Sequence, residues 1–142
     1  MTYSLADSPE WIRQNTLGST SEARVAELLK RPGVEVRRVN APGHDIEERV
    51  LIEVKRDSKA AQSGNLAVEL SSRGKPSGLS TTTAADWIFD TGNEVIRVNV
   101  DRLRELAEAA PKLKTNDGNF VALVRVICAR EAGETIERRE QP

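Results

Sequence analysis

The sequence predicts an α/β domain with a central mixed β-sheet flanked by helices, and three observations lead there. Helical periodicity appears in separated segments, 19–30 and 101–110, each next to a residue suited to capping and each stopped by proline. Period-two alternation appears between them, most clearly over 65–71 and 94–100. The chain has 142 residues, 38% hydrophobic and 30% charged, enough for one domain with a buried core. Only 4% of it is aromatic, so that core must be aliphatic.

Residues 1–18 show no sustained period and read as an N-terminal arm, with Trp11 and Ile12 available to pack. Ser19-Thr20-Ser21-Glu22 has the capping-box pattern, Ser19 as N-cap and Glu22 at N3, opening a helix that Pro32-Gly33 ends. A first strand is expected over Val34–Val39, a turn over Asn40–Gly43, a short strand over Asp45–Glu47, and a third over Val50–Arg56. Asp57–Gly64 reads as a polar loop over a cleft. Asn65–Ser71 is a strand with Leu66, Val68 and Leu70 on one face and Glu69 on the other, beside the third strand. Ser72–Gly78 reads as a rigid basic loop and Ser80–Ala85 as a helical turn. Asp86–Phe89 and Glu94–Val100 form a hairpin across Thr91-Gly92-Asn93, with Trp87 in the core. Asp101 is expected to cap a helix ended by Pro111, followed by a loop over 112–119 and a buried strand over 120–128. The domain is thus placed at 19–128, and 129–142 reads as a charged, flexible tail.

The chemistry concentrates in Gly43–Lys55, GHDIEERVLIEVK. Glu53 and Lys55 are two apart on a strand and leave the same face, toward a cleft, while Ile52 and Val54 are expected to face the core. With Asp45 they supply two hard oxygen ligands for a divalent cation and a lysine that can orient water or offset charge on a phosphate. The bland alternative is an exposed salt-bridge cluster of little energetic consequence.

Asp45 … Glu53-x-Lys55 resembles the motif of the PD-(D/E)XK nuclease superfamily, which includes restriction endonucleases, Holliday-junction resolvases and many phage nucleases. Gly64–Trp87 is similar to a phage-type branch with a GN-x-x-x-E strand, a KPSG loop and a Thr/Ala/Asp/aromatic stretch. The usual proline before the aspartate is displaced to Pro42, and His44 stands in its place. Across residues 19 to 127 the resemblance implies a restriction-endonuclease-like core and a Mg²⁺- or Mn²⁺-dependent deoxyribonuclease. Asp45, Glu53 and the Val54 carbonyl would hold metal, and Lys55 would position the attacking water. Glu69 would complete the site, its alternative being a salt bridge to Lys55 or Arg73. Glu22 would add a ligand, its alternative being the cap. Arg73, Lys75, Ser77 and Thr82 would contact nucleic-acid phosphates. Small members of the superfamily often form homodimers, and a homodimer is an expected arrangement here.

Bulk properties bound these expectations. The formal net charge is −1, but residues 22–75 carry 11 Lys+Arg against 9 Asp+Glu, and residues 76–142 carry 9 against 11. The DNA partner that the resemblance implies is consistent with this distribution, since the basic side is the side of Glu53. A single cysteine, Cys128, excludes an internal disulfide and suits a reducing cytoplasm; its apolar neighbours suggest a structural thiol. No apolar run reaches membrane-spanning length, and the N-terminus lacks a signal peptide's apolar core. Walker, dinucleotide-binding and zinc patterns are absent. The competing functions are a junction-selective resolvase, a catalytically silent nucleic-acid-binding module, and an assembly protein.

Overall fold

A computed structural model describes the backbone from residue 9 to residue 139 and side chains from residue 18 onward. It is mixed α/β, with four α-helices, one 3-10 turn and three β-sheets among the described residues. The chain divides into two units, Met1–Arg49 and Val50–Pro142. No described helix is long and apolar enough to cross a membrane.

The first unit contains helix α1 (Pro9–Leu29) and the paired strands β1 (Val34–Ala41) and β2 (His44–Val50), of which Val50 already belongs to the second unit. The helix does not begin at Ser19 as the capping box suggests. It runs through Ser19 from Pro9, because nothing between them breaks a helix: Pro9 is tolerated in a first turn, and a mid-helix glycine such as Gly18 costs only about 1 kcal/mol. The expected arm is therefore partly helical; the Trp11 and Ile12 side chains, and residues 1–8, lie outside the described residues. Leu29 ends the helix and Gly33 follows at φ +79°.

The second unit holds the core. Strand β3 (Ile52–Arg56) leads to the short helix α2 (Ala60–Ser63), then β4 (Asn65–Ser72), β5 (Lys75–Pro76) and the 3-10 turn Gly78–Ser80. Strands β6 (Asp86–Asp90) and β7 (Glu94–Asn99), helix α3 (Val100–Ala109), strands β8 (Lys112–Lys114) and β9 (Asn119–Arg125), helix α4 (Val126–Ala132) and strand β10 (Glu134–Arg138) complete it. One sheet is mixed, in the order β10-β7-β6-β3, with β3 parallel to β6; the other is antiparallel, in the order β5-β4-β9-β8. The apolar sides of both contribute Leu66, Val68, Trp87, Phe89, Ile96, Val98, Ala122 and Val124 to one buried cluster with Leu103 of α3 and Ala129 of α4.

Four expectations are corrected by this topology. In place of one central sheet, the second unit has two four-stranded sheets. Strand β3 neighbours β6, so Glu69 on β4 is not adjacent to the Glu53 strand; β4 and β5 instead lie within the crossover that a parallel pair requires. The apolar run after Arg125 is helix rather than strand, a distinction that periodicity cannot make in a short apolar segment. Residues 129–138 are accordingly not a frayed tail: they end α4 and form β10, which pairs with β7. Cys128 lies in α4 and is half-buried.

Smaller differences are local. The polar loop after Arg56 contains α2, tied down by Asp57, whose carboxylate accepts from Ala60 N at 3.1 Å and Ala67 N at 3.0 Å. The cap of α3 is Asn99, not Asp101: Asn99 Oδ1 accepts from the N–H groups of Asp101 at 2.9 Å and Arg102 at 3.4 Å. Residues 112–114 pair with β9 rather than forming loop. The basic loop at Ser72–Gly78 is a tight hairpin, with Arg73 at φ +51° and Gly74 at φ +80°. The expected helical turn at Ser80–Ala85 is the 3-10 turn two residues earlier; Thr82 to Ala84 follow in irregular chain.

Candidate functional site

Strand β3 reverses the expected orientation. Ile52 and Val54 are 40% and 67% exposed, whereas Glu53 and Lys55 take the half-buried positions. The register explains why. Glu53 pairs with Trp87 and Lys55 with Phe89, so these four side chains share the face of the sheet that bears the core, where Trp87 and Phe89 are each 1% exposed. Two charged groups can occupy that face because β3 is an edge strand and because each charge finds a partner.

Those partners are specific. Lys55 Nζ lies 2.9 Å from Glu53 Oε1 and 5.1 Å from the centroid of the Trp87 ring, within cation–π range. Thr82 Oγ1 donates to Glu53 Oε2 at 2.9 Å. The same hydroxyl accepts from Trp87 Nε1 at 3.1 Å and from Ala84 N at 3.2 Å. Both acceptor positions of the hydroxyl are thus filled by groups that can only donate, so its one proton must point at Glu53. The Glu53 carboxylate is therefore held at both oxygens, one by a fixed hydroxyl and one by an ammonium group. With about a third of its side chain exposed, it remains open to solvent and to a ligand.

The other sequence-assigned residues lie elsewhere. Among the described residues the Glu69 side chain makes no hydrogen bond or ion pair, and the Glu69 backbone pairs with Val121 of β9. Its backbone is closely approached by Gly78: a Cβ on Gly78 would lie 2.4 Å from Glu69 O. The KPSG loop closes on β4 through Ser77 N to Leu70 O at 3.2 Å and Ser80 Oγ to Leu70 O at 2.7 Å. Ser77 Oγ is enclosed without a hydrogen-bond partner. Arg73 and Lys75 are exposed at the hairpin tip. Thr82 does not face outward toward phosphates; its hydroxyl is spent on Glu53 and Trp87.

In the first unit, Asp45 is exposed near the start of β2. Glu22 neither caps α1 nor stands alone: Arg38 of β1 donates to Glu22 Oε2 at 3.1 Å and also to Ser19 O and Oγ. His44 bonds to Glu47 at 3.1 Å, and Glu47 also pairs with Arg37. The Arg37 hydrogen bond, followed by that from His44, holds the Glu47 carboxyl below its ordinary range.

Among the described residues no group of three or more His, Cys, Asp or Glu side chains is placed to hold a metal ion. The donor set at Glu53 is one anchored carboxylate on the strand that also carries the Val54 carbonyl. A cation held there would keep most of its waters, as Mg²⁺ does with one or two carboxylates. No family model, curated protein or solved structure matches the chain.

Sequence reasoning took Trp87 as core and Thr82 as a phosphate contact, and so missed their joint role in fixing Glu53. It also passed over the arginines between residues 125 and 139, whose density was the available signal.

Proposed function

We propose that this chain hydrolyses nucleic-acid phosphodiester bonds, with DNA as substrate and Mg²⁺ or Mn²⁺ as cofactor. The observation that carries the reading is Glu53 and Lys55 side by side on the core-bearing face of β3, paired at 2.9 Å and buttressed by Thr82 and Trp87. A surface ion pair contributes about 0–1 kcal/mol and does not require an anchored carboxylate. A catalytic carboxylate does require one, because its geometry must be set before substrate arrives.

In this reading Glu53 and the Val54 carbonyl would hold the cation. The bound cation supplies Lewis acidity toward the phosphate. Lys55 would orient the attacking water and offset charge that develops on the phosphate oxygens. Thr82 keeps Glu53 Oε2 from rotating away. Trp87 holds the Lys55 stem against the sheet.

The test is cleavage of single-stranded, linear duplex, flapped and four-way-junction DNA with Mg²⁺, Mn²⁺ or EDTA, by wild type and Lys55→Ala. Metal-dependent cutting that the substitution abolishes is the expected result; preference for the junction would make the activity a resolvase. Intact substrates in every condition, with binding retained, would replace the enzyme by a binding module.

A further inference from the structure

A cavity of about 450 Å³ opens in the second unit, where α2 follows β3, the β6–β7 turn begins, and α4 and β10 meet. Its walls carry Arg125, Arg130, Arg138 and Arg139 against one carboxylate, Glu94, with Asn93 beside them. In a chain of net charge −1 this is a local concentration of positive charge. Glu94 is 7% exposed and is consumed by Arg130, whose Nε and Nη2 donate at 3.0 and 2.5 Å; Arg138 stands off at 3.9 Å. Arg139 bonds to Glu137. The Arg125 side chain makes no hydrogen bond or ion pair among the described residues, and Arg138 is two-thirds exposed. The pocket therefore has one half-buried pair, Arg130 on the buried Glu94, and two guanidinium groups not saturated by protein acceptors.

We propose that this pocket binds phosphate groups, and that their source is the backbone of a nucleic acid. Guanidinium forks match phosphate oxygens in pairs, and a cavity of this volume lies in the range of small-ligand sites rather than of a single ion. The choice of nucleic acid rests on the nuclease reading of Glu53 and Lys55, which stand earlier on the same β3. At about 3.3 Å per strand residue, β3 carries the chain roughly 10 Å from Glu53 to Arg56, a length that about three base pairs of duplex span, and the first wall residue of the cavity, Ala60, follows four residues later. A backbone lying on Glu53 would reach the arginine pocket a few nucleotides away. This also shows how a chain without net positive charge could hold DNA: the contact is local.

The experiment measures binding and not cutting. The full chain, in EDTA, is titrated into a fluorescein-labelled duplex across a salt series, with inorganic tripolyphosphate as competitor. Arg125→Gln/Arg138→Gln is compared with wild type and with Arg102→Gln, a control on α3 whose arginine pairs with Glu105. Both pocket positions are exposed and Arg130–Glu94 is left intact, and melting curves verify the fold. We expect the double variant to bind roughly tenfold more weakly, its log–log salt slope reduced by about 2, while the control matches wild type. Equal slopes for the double variant and wild type would overturn the pocket and leave the nuclease reading standing. Thermal stabilisation by tripolyphosphate without any duplex binding would overturn the nucleic-acid source and with it the nuclease reading. Neither ligand binding would overturn both.

Discussion

Thr82 Oγ1 donates a hydrogen bond to Glu53 Oε2 at 2.9 Å across 29 residues of sequence, and the indole N–H of Trp87 sets its direction. That relation makes Thr82 a positioning residue. Thr82→Val keeps the shape and removes the hydroxyl, leaving Trp87 Nε1 and Ala84 N unpaired. It should destabilise the fold by about 2 kcal/mol and change Trp87 fluorescence. On the nuclease reading it should also lower the turnover rate about tenfold and raise the Mg²⁺ requirement, because Glu53 Oε2 loses its hydroxyl donor. Thr82→Ser should restore both. A Thr82→Val protein that is destabilised but cuts with an unchanged metal requirement would make Thr82 structural only.

Gly78 sits at φ +55° with Glu69 O 2.4 Å from where a Cβ would lie. The neighbour is backbone and cannot swing away. Gly78→Ala should therefore cost at least about 2 kcal/mol, from left-handed strain plus displacement of β4, seen as a clear drop in melting temperature. Gly92→Ala gives the comparison: its φ is +90°, but nothing lies within 4 Å, so strain acts there without a clash and the loss should be smaller.

The buried Glu94 depends on Arg130. Their hydrogen bond, strengthened by charge attraction, raises the Arg130 pKa above its ordinary value. Arg130→Met would leave the carboxylate with Arg138 at 3.9 Å as its remaining partner. A loss of about 2 kcal/mol in denaturant unfolding is expected, reduced when Glu94→Gln is added, because the second change removes the orphaned charge.

In the β1–β2 hairpin the Glu47 carboxyl is held below its ordinary value of 4.5 by the hydrogen bond from Arg37 and then by that from His44. A carboxyl whose folded pKa is depressed contributes stability above its unfolded pKa and loses it as pH falls through the folded one. Hydrogen-exchange protection of the hairpin amides should therefore be constant well above pH 4.5 and decline below it, and Arg37→Ala should flatten that decline. Exchange that is independent of pH in this window, after correction for intrinsic rates, would contradict the assignment.

How far each feature was legible depended on whether its cause is local. Leu66 and Val68 on one face of β4, the hairpin at Thr91–Asn93, the α3 face of Leu103 and Ala107, and Trp87 in the core all follow from periodicity or turn chemistry carried within a few residues. The helix from Pro9 through Ser19 was hidden by a capping pattern that context overrode, and α4 by an apolar run that suits strand and helix alike.

The sequence by itself determined that Glu53 and Lys55 share a face, because strand alternation permits nothing else. Which face that is, only the tertiary structure decided. Hydrophobicity alone turns Ile52 and Val54 inward. Pairing β3 beside β6 brings Glu53 and Lys55 next to Trp87 and Thr82, partners from more than 25 residues away that satisfy both charges and leave the apolar pair outside. The assignment of Glu69 to β4 in a second sheet, and the gathering of Arg125, Arg130, Arg138 and Arg139 around one cavity, have the same origin. Each depends on strand pairing between distant segments, and the energy of that pairing resides in contacts that no short window of sequence contains.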